Sequence, residues 1–284
     1  MLHIRFALAF AAALMMALPS SAEESVPRFW DARQRLSVPD LSGFQRIRFL
    51  TTTDFFPFNM LDGQGNLVGF HIDLARAICR QLEVEARCQI QALPFEELAG
   101  ALEKNEGEAI IAGLALTAEG RSDYSFSRPY FQFPARFVTR RDAPLGEPLH
   151  RALRGKRVGV LAGSAHEKML RELFSGVEVA TFPSDEALFE AIRKSEIAVI
   201  FGDGMRLSFE LTGADAAGCC LFAGGPYLAP EYLGHGLAIA VRPEQSALTA
   251  AFDYALQRLE AEGVFVELYL RYFPVNFYEE PAAR

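Results

Sequence analysis

RIRFLTT (46–52), HIDLARAICRQL (71–82), EARCQIQAL (85–93), PFEELAGALEK (94–104) and EAIIAGLAL (108–116) follow one another in the order that decides the fold. The first, third and fifth are short and rich in β-branched and apolar residues, as buried strands are. The second and fourth repeat their apolar positions every three or four residues, as helices with one buried face do. The order is βαβαβ, which predicts a parallel sheet covered by helices on both faces.

A second series begins after a charged, proline-bearing link, TRRDAPLGEP (139–148). KRVGVLAG (156–163), VEVATF (177–182) and IAVIFGD (197–203) read as strands, with SAHEKMLRELF (164–174) and SDEALFEAIRK (184–194) as helices between them. The chain therefore holds two similar α/β units. A tail follows, with LGHGLAIAVR (233–242) as a strand, SALTAAFDYALQRLEAEG (246–263) as a long helix and VFVELYLRYF (264–273) as a closing amphipathic segment. With no sheet of its own, the tail is expected to pack on the first unit. The expected fold is α/β with two lobes, each a mainly parallel sheet flanked by helices. Lobe 1 takes residues 46–134 and 229–284, and lobe 2 takes 135–228. Two hinge strands cross between them, near FQFPARFV (131–138) and GGPYLAPEYLG (224–234). Residues 23–45 carry two prolines and no clean period, and read as an N-terminal strap pinned by Trp30.

Residues 1–22, MLHIRFALAFAAALMMALPSSA, join a basic start at Arg5 to an apolar run and small residues at Ser20 and Ala22. This is the pattern of a cleaved export signal, and its apolar part is short for a membrane span. Removing it takes the formal charge from -8 to -9, because it holds one Arg and no acid. An acidic chain without a basic stripe is a poor nucleic-acid binder. Export permits disulfides. Cys79 falls late in one helix and Cys88 at the start of the next strand, so a clip across the turn EVEAR (83–87) is geometrically reasonable. Cys219 and Cys220 are adjacent, and they read as two small buried hydrophobes.

Ligands in open α/β sheets bind beyond the carboxyl ends of the strands. Asp203 stands there between Gly202 and Gly204, placed either to pair with a cation or to cap the next helix. Ser164 with Glu167 has the spacing of a capping box, at a helix start that attracts anions. Thr117 opens a helix in GLALTAEGRSDYSFSRPY (113–130), and Arg121 follows one turn later with the paired donors that suit a carboxylate. Among the aromatics of DFFPFNM (54–60) and LPFEEL (93–98), Phe56 or Phe58 is expected in the core, and one or two others at a cleft edge. His71, His150, His166 and His235 lack metal-ligand spacing, so neither a metal nor a cofactor is expected.

FLTTTDFFPFNMLDGQGNLVGFHIDLARAI (49–78), AIIAGLALTAEGRSDYSFSRPYF (109–131), LRGKRVGVLAGSAHEKML (153–170), IAVIFGD and EGVFVELYLRYF (262–273) occur in an order that resembles the family 3 extracellular solute-binding proteins. These are periplasmic receptors of amino-acid ABC importers. The resemblance implies a monomeric type II binding protein, not an enzyme, that closes its lobes on an amino acid and docks on a membrane permease. It implies that Asp203 binds the α-ammonium. Arg121, Ser164 and backbone N–H groups near Gly113 and Ala115 hold the α-carboxylate, and Phe55 and Phe95 line the side-chain pocket. Cys79 and Cys88 resemble a disulfide found in some members. Three features depart from the family pattern. Thr117 and Arg121 are spaced one residue wider than usual, with Gly120 at the arginine position. Thr52 stands where receptors for cationic amino acids carry an acid, which points to a small neutral or apolar ligand. Ala115 and Ala165 stand where hydroxyls are frequent. A secreted dehydratase acting on cyclic carboxylic acids shares the fold and forms the alternative reading, beside an accessory to a periplasmic oxidase or sensor.

Overall fold

The computed structural model describes residue 26 and residues 33–116, 120–213 and 218–279, without the side chains of 120 and 121. The leader 1–22, Trp30 and Thr117 lie outside the described residues. In chain order β1 (Ile47–Thr51) is followed by a small meander, β2 (Asp54–Phe55), β3 (Asn59–Leu61) and β4 (Leu67–Val68). Then come α1 (Phe70–Gln81), β5 (Cys88–Ala92), α2 (Leu98–Glu103), β6 (Ala109–Ile110), α3 (Gly120–Asp123) and β7 (Ser125–Phe126). The second series is β8 (Ala135–Arg140), α4 (Leu149–Ala152), β9 (Arg157–Leu161), α5 (Ala165–Leu173), β10 (Glu178–Phe182), α6 (Asp185–Arg193), β11 (Val199–Asp203), α7 (Gly204–Thr212) and β12 (Cys220–Phe222). The chain continues through α8 (Pro230–Leu233), β13 (Ala240–Val241), α9 (Ser246–Ala261) and α10 (Val264–Tyr272).

Two five-stranded sheets result, ordered β5-β1-β6-β13-β7 and β10-β9-β11-β8-β12. Each has a parallel centre, β5-β1-β6 in one and β10-β9-β11 in the other, as the βαβ pattern requires. The other two pairings in each are antiparallel, because β8 and β13 carry the chain after it has crossed from the opposite sheet. Both sheets are covered on both faces. On the first sheet α1, α9 and α10 cover one face and α2 the other. The larger cluster buries Phe49, Phe58, Phe70, Phe131, Phe252 and Tyr269 almost completely. Each such ring contributes about 1.5–3 kcal/mol by leaving water. The strap joins this cluster through Leu36, Leu41 and Phe44.

The two crossings lie side by side. Phe131 bridges Leu237 and Ala135 bridges Tyr227, both antiparallel. Ala135 and Tyr227 exchange both backbone hydrogen bonds at 3.0 Å. The segment after α10 lies against them, with Arg136 Nη1 donating to the carbonyls of Phe277 and Glu279 at 2.7 Å each. The Tyr278 hydroxyl donates to the Gln132 carbonyl.

The Cys79–Cys88 disulfide is present, closing the turn between α1 and β5 with its Cα atoms 6.2 Å apart. The reading of Cys219 and Cys220 as two separate thiols is corrected, because they are joined to each other. Adjacency brings the two Cα atoms within 3.7 Å at no cost in chain closure, which the composition does not reveal.

Candidate functional site

Thr52, Pro94 and Gly113 leave the carboxyl ends of β1, β5 and β6, three neighbouring parallel strands. A cavity of about 210 Å³ opens at this edge, lined by Thr52, Thr53, Asp54, Ala92, Leu93 and Pro94. Phe55 stacks on Phe58 with centroids 4.7 Å apart. Its ring covers Gly113, whose φ of 83° and missing Cβ both suit the spot, since a Cβ would overlap that ring. Phe58 is fully buried, whereas Phe56 is 60% exposed and meets Phe209 of α7 edge-on at 5.0 Å. Phe95, following β5, is 55% exposed. Ala115 is exposed, and its backbone bridges Leu237.

The second sheet presents a different mouth. Ile200 of β11 lies opposite Gly159 of β9, so Asp203 and Ser164 leave the sheet from adjacent strands. Ser164 caps α5, its Oγ accepting from Glu167 N at 3.1 Å and donating to the Leu161 carbonyl at 2.7 Å. Glu167 returns to accept from Gly163 N at 2.8 Å, and that amide, with Arg171, holds its carboxyl below the ordinary range. Ala165 opens the helix and is exposed. Asp203 caps α7, one carboxylate oxygen accepting from Met205 N at 2.8 Å and Arg206 N at 3.0 Å. Its other oxygen makes no hydrogen bond among the described residues. Burial pushes the Asp203 carboxyl up to about 6, against the pull of the two amides and the Arg206 charge. Phe209, on the helix that Asp203 caps, is the residue that reaches Phe56 of the first mouth.

The structure thus brings Phe55 onto Gly113 and sends Ser164 and Asp203 off the ends of two adjacent strands. Arg121 falls in α3, and its side chain lies outside the described residues. The sequence reading missed the partners of Thr52. The Thr52 hydroxyl, 3% exposed, accepts from Asn59 Nδ2 at 2.6 Å. Asn59 and His71 carry polar groups at apolar positions, and that was the available signal. No group of residues able to hold a metal occurs among the described residues. None of the described helices is long and apolar enough to cross a membrane.

Residues 47–275 match the bacterial extracellular solute-binding proteins, family 3. The chain belongs to this family. It is 28% identical over 236 residues to the lysine/arginine/ornithine-binding periplasmic protein of Escherichia coli K12, covering 82% of this chain and 90% of that one. It is likewise 28% identical over 245 residues to the L-arginine-binding protein of Pseudomonas aeruginosa, covering 86% and 93%. In fold it resembles the unliganded L-cystine solute receptor of Neisseria gonorrhoeae, with a TM-score of 0.70 at 16% identity over 83% of this chain and 95% of the receptor. Substrate-binding domain 2 of GlnP from Lactococcus lactis is similar too, with a TM-score of 0.69 at 16% identity, covering 84% and 99%. The fold is therefore that of the two-lobe periplasmic binding proteins, and the matched relatives are named as binding proteins rather than enzymes.

Proposed function

We propose that this family member captures an amino acid with a neutral side chain between its lobes and delivers it to an ABC permease. The observation that carries this reading is that Asp203 and Ser164 leave the sheet from the ends of adjacent strands. A carboxylate with one unengaged oxygen beside a helix start supplies what an α-ammonium and an α-carboxylate require when they leave water. Asp203 takes the ammonium. Ser164, Arg121 and the backbone amides near Gly113, Ala115 and Ala165 take the carboxylate, while Phe55 and Phe95 wall the side chain. The relatives named for lysine, arginine or ornithine set the family's habit, and the uncharged Thr52 at the first mouth supports a departure from it. Lobe 1 comprises 46–134 and 229–284 and lobe 2 comprises 135–228, so closure draws the two mouths together about the paired crossings. The ligand favours the closed state because only there does it touch both. The protein works in the periplasm as a monomer, after loss of residues 1–22.

A thermal-shift panel on mature protein, refolded to strip carried-over ligand, tests the reading. An amino acid at about 100 times its dissociation constant adds roughly 2.7 kcal/mol to stability. A hit among neutral amino acids is the expected result. A shift confined to lysine, arginine, ornithine and histidine overturns the neutral assignment, and no shift with any amino acid overturns the amino-acid reading.

A further inference from the structure

Four buried side chains form one unbroken hydrogen-bonded line from the first crossing to the mouth of β1. The Tyr130 hydroxyl lies 2.8 Å from His71 Nε2, His71 Nδ1 lies 2.6 Å from Asn59 Oδ1, and Asn59 Nδ2 lies 2.6 Å from the Thr52 hydroxyl. Their exposures are 1%, 0%, 0% and 3% in that order. Tyr130 also donates its backbone N–H to Leu237, so the line starts on the paired crossings. His71 is wrapped by Phe55, Phe58 and Phe70, and burial lowers it to about 3, so it is neutral, with one N–H and one bare nitrogen. Burial likewise raises Tyr130 well above its ordinary range and keeps its proton on.

Such a line has two possible polarities. Run inward, Thr52 donates to Asn59, Asn59 to His71 and His71 to Tyr130, and the Tyr130 proton is stranded in the core without an acceptor among the described residues. Run outward, Tyr130 donates to His71 Nε2, His71 Nδ1–H to Asn59 Oδ1, and Asn59 Nδ2–H to Thr52. Every donor that links the line is then matched, and the one hydroxyl proton left over belongs to Thr52, beside the cavity. A stranded buried donor costs the full desolvation of that group, so the outward polarity wins. We infer that this line fixes Thr52 as a hydrogen-bond donor into the cleft, so that the protein selects amino acids with an acceptor atom in a neutral side chain. Tyr130, His71 and Asn59 are positioning residues that act through Thr52. A lysine or ornithine side chain carries no acceptor and gains nothing from the Thr52 proton, so the line favours acceptor-bearing side chains over those named for the relatives. The inference rests on the amino-acid-receptor reading and narrows its ligand class.

Two measurements test it. The first needs no ligand: sequence-assigned ¹⁵N NMR of the mature protein reads the His71 tautomer. The outward line requires protonated Nδ1 and bare Nε2, and the opposite tautomer overturns the inference. The second is titration calorimetry with near-isosteric pairs, glutamine with methionine, asparagine with leucine and threonine with valine, plus lysine and ornithine. For the pair that fits the pocket, the acceptor-bearing member is expected to bind about tenfold tighter. Thr52→Val should erase that ratio and Thr52→Ser retain it. Tyr130→Phe should shrink it in the native chain and leave it unchanged in the Thr52→Val background. A purely structural Tyr130 would instead weaken both members of the pair equally, and that result overturns the inference, as do equal affinities within the pair or tighter binding of lysine. If no amino acid binds, the receptor reading fails and the ligand class with it, while the tautomer still decides the polarity of the line.

Discussion

The two strand mouths are built from the same kind of βαβ unit and present opposite chemistry. At the first, the side chains in line behind Thr52, namely Asn59, His71 and Tyr130, are neutral, and phenylalanine rings pack around His71. At the second, a carboxylate and a serine-capped helix start leave the ends of adjacent strands. In the proposed function Asp203 and Ser164 of the second mouth meet the charged groups common to all amino acids, joined by Arg121 and the amides near Gly113 and Ala115 of the first lobe. Thr52, Phe55 and Phe95 of the first mouth meet the variable side chain. On that proposal the ammonium partner and the side-chain pocket lie on different sheets, so each can be altered alone.

The sharpest way to break this division is Asp203→Asn, which keeps a good helix cap while removing the charge. Binding is expected to weaken by about 100-fold or more, because an ammonium buried without its counter-charge is strongly penalised. Stability should not fall, because the cap is kept and a charge that burial disfavours is removed, and calorimetry with parallel melting curves checks both. Next in size is Gly113→Ala at the first mouth. The left-handed φ and the overlap with the Phe55 ring should cost about 2 kcal/mol of stability, read by denaturant unfolding. The pH dependence of binding follows. Asp203 sits near 6 in the free protein, and a bound ammonium holds it ionised. Affinity should therefore be full above pH 7 and fall about tenfold by pH 5 as the free carboxyl takes up a proton. Asp203→Asn should flatten that profile. The smallest effect is Ser164→Ala, with a loss of about 1 kcal/mol from the α5 cap.

His71 adds a stability test that belongs to the first mouth alone. Its folded value of about 3 lies below the unfolded value near 6.5, so the unfolded chain binds the proton first as pH falls. The stability contributed by neutral His71 is complete above 6.5 and erodes by about 1.4 kcal/mol per pH unit from there toward 3. His71→Gln should remove that part of the slope in urea unfolding between pH 6 and pH 4.

Periodicity made the helices and the parallel sheet centres legible, since α1, α5, α6 and β11 occupy the stretches whose apolar spacing marks them. The caps at Ser164 and Asp203 were legible too, because they depend on residues two or three positions away. The meander β2-β3-β4 was not, because its strands are only two or three residues long. Nor was the line behind Thr52, whose His71–Tyr130 contact spans 59 residues that no local pattern relates. The Cys219–Cys220 bond escaped because nothing in two neighbouring letters tells a pair of thiols from a bridge.

Arg136 holds the carbonyls of Phe277 and Glu279 just past the first crossing, and Tyr278 is tied to Gln132 just before it. The segment 277–279 is thus a third ply laminated onto a two-ply joint. In the proposed closure its stiffness enters the resistance to bending, and loosening it by Arg136→Lys is expected to change how readily the two lobes close.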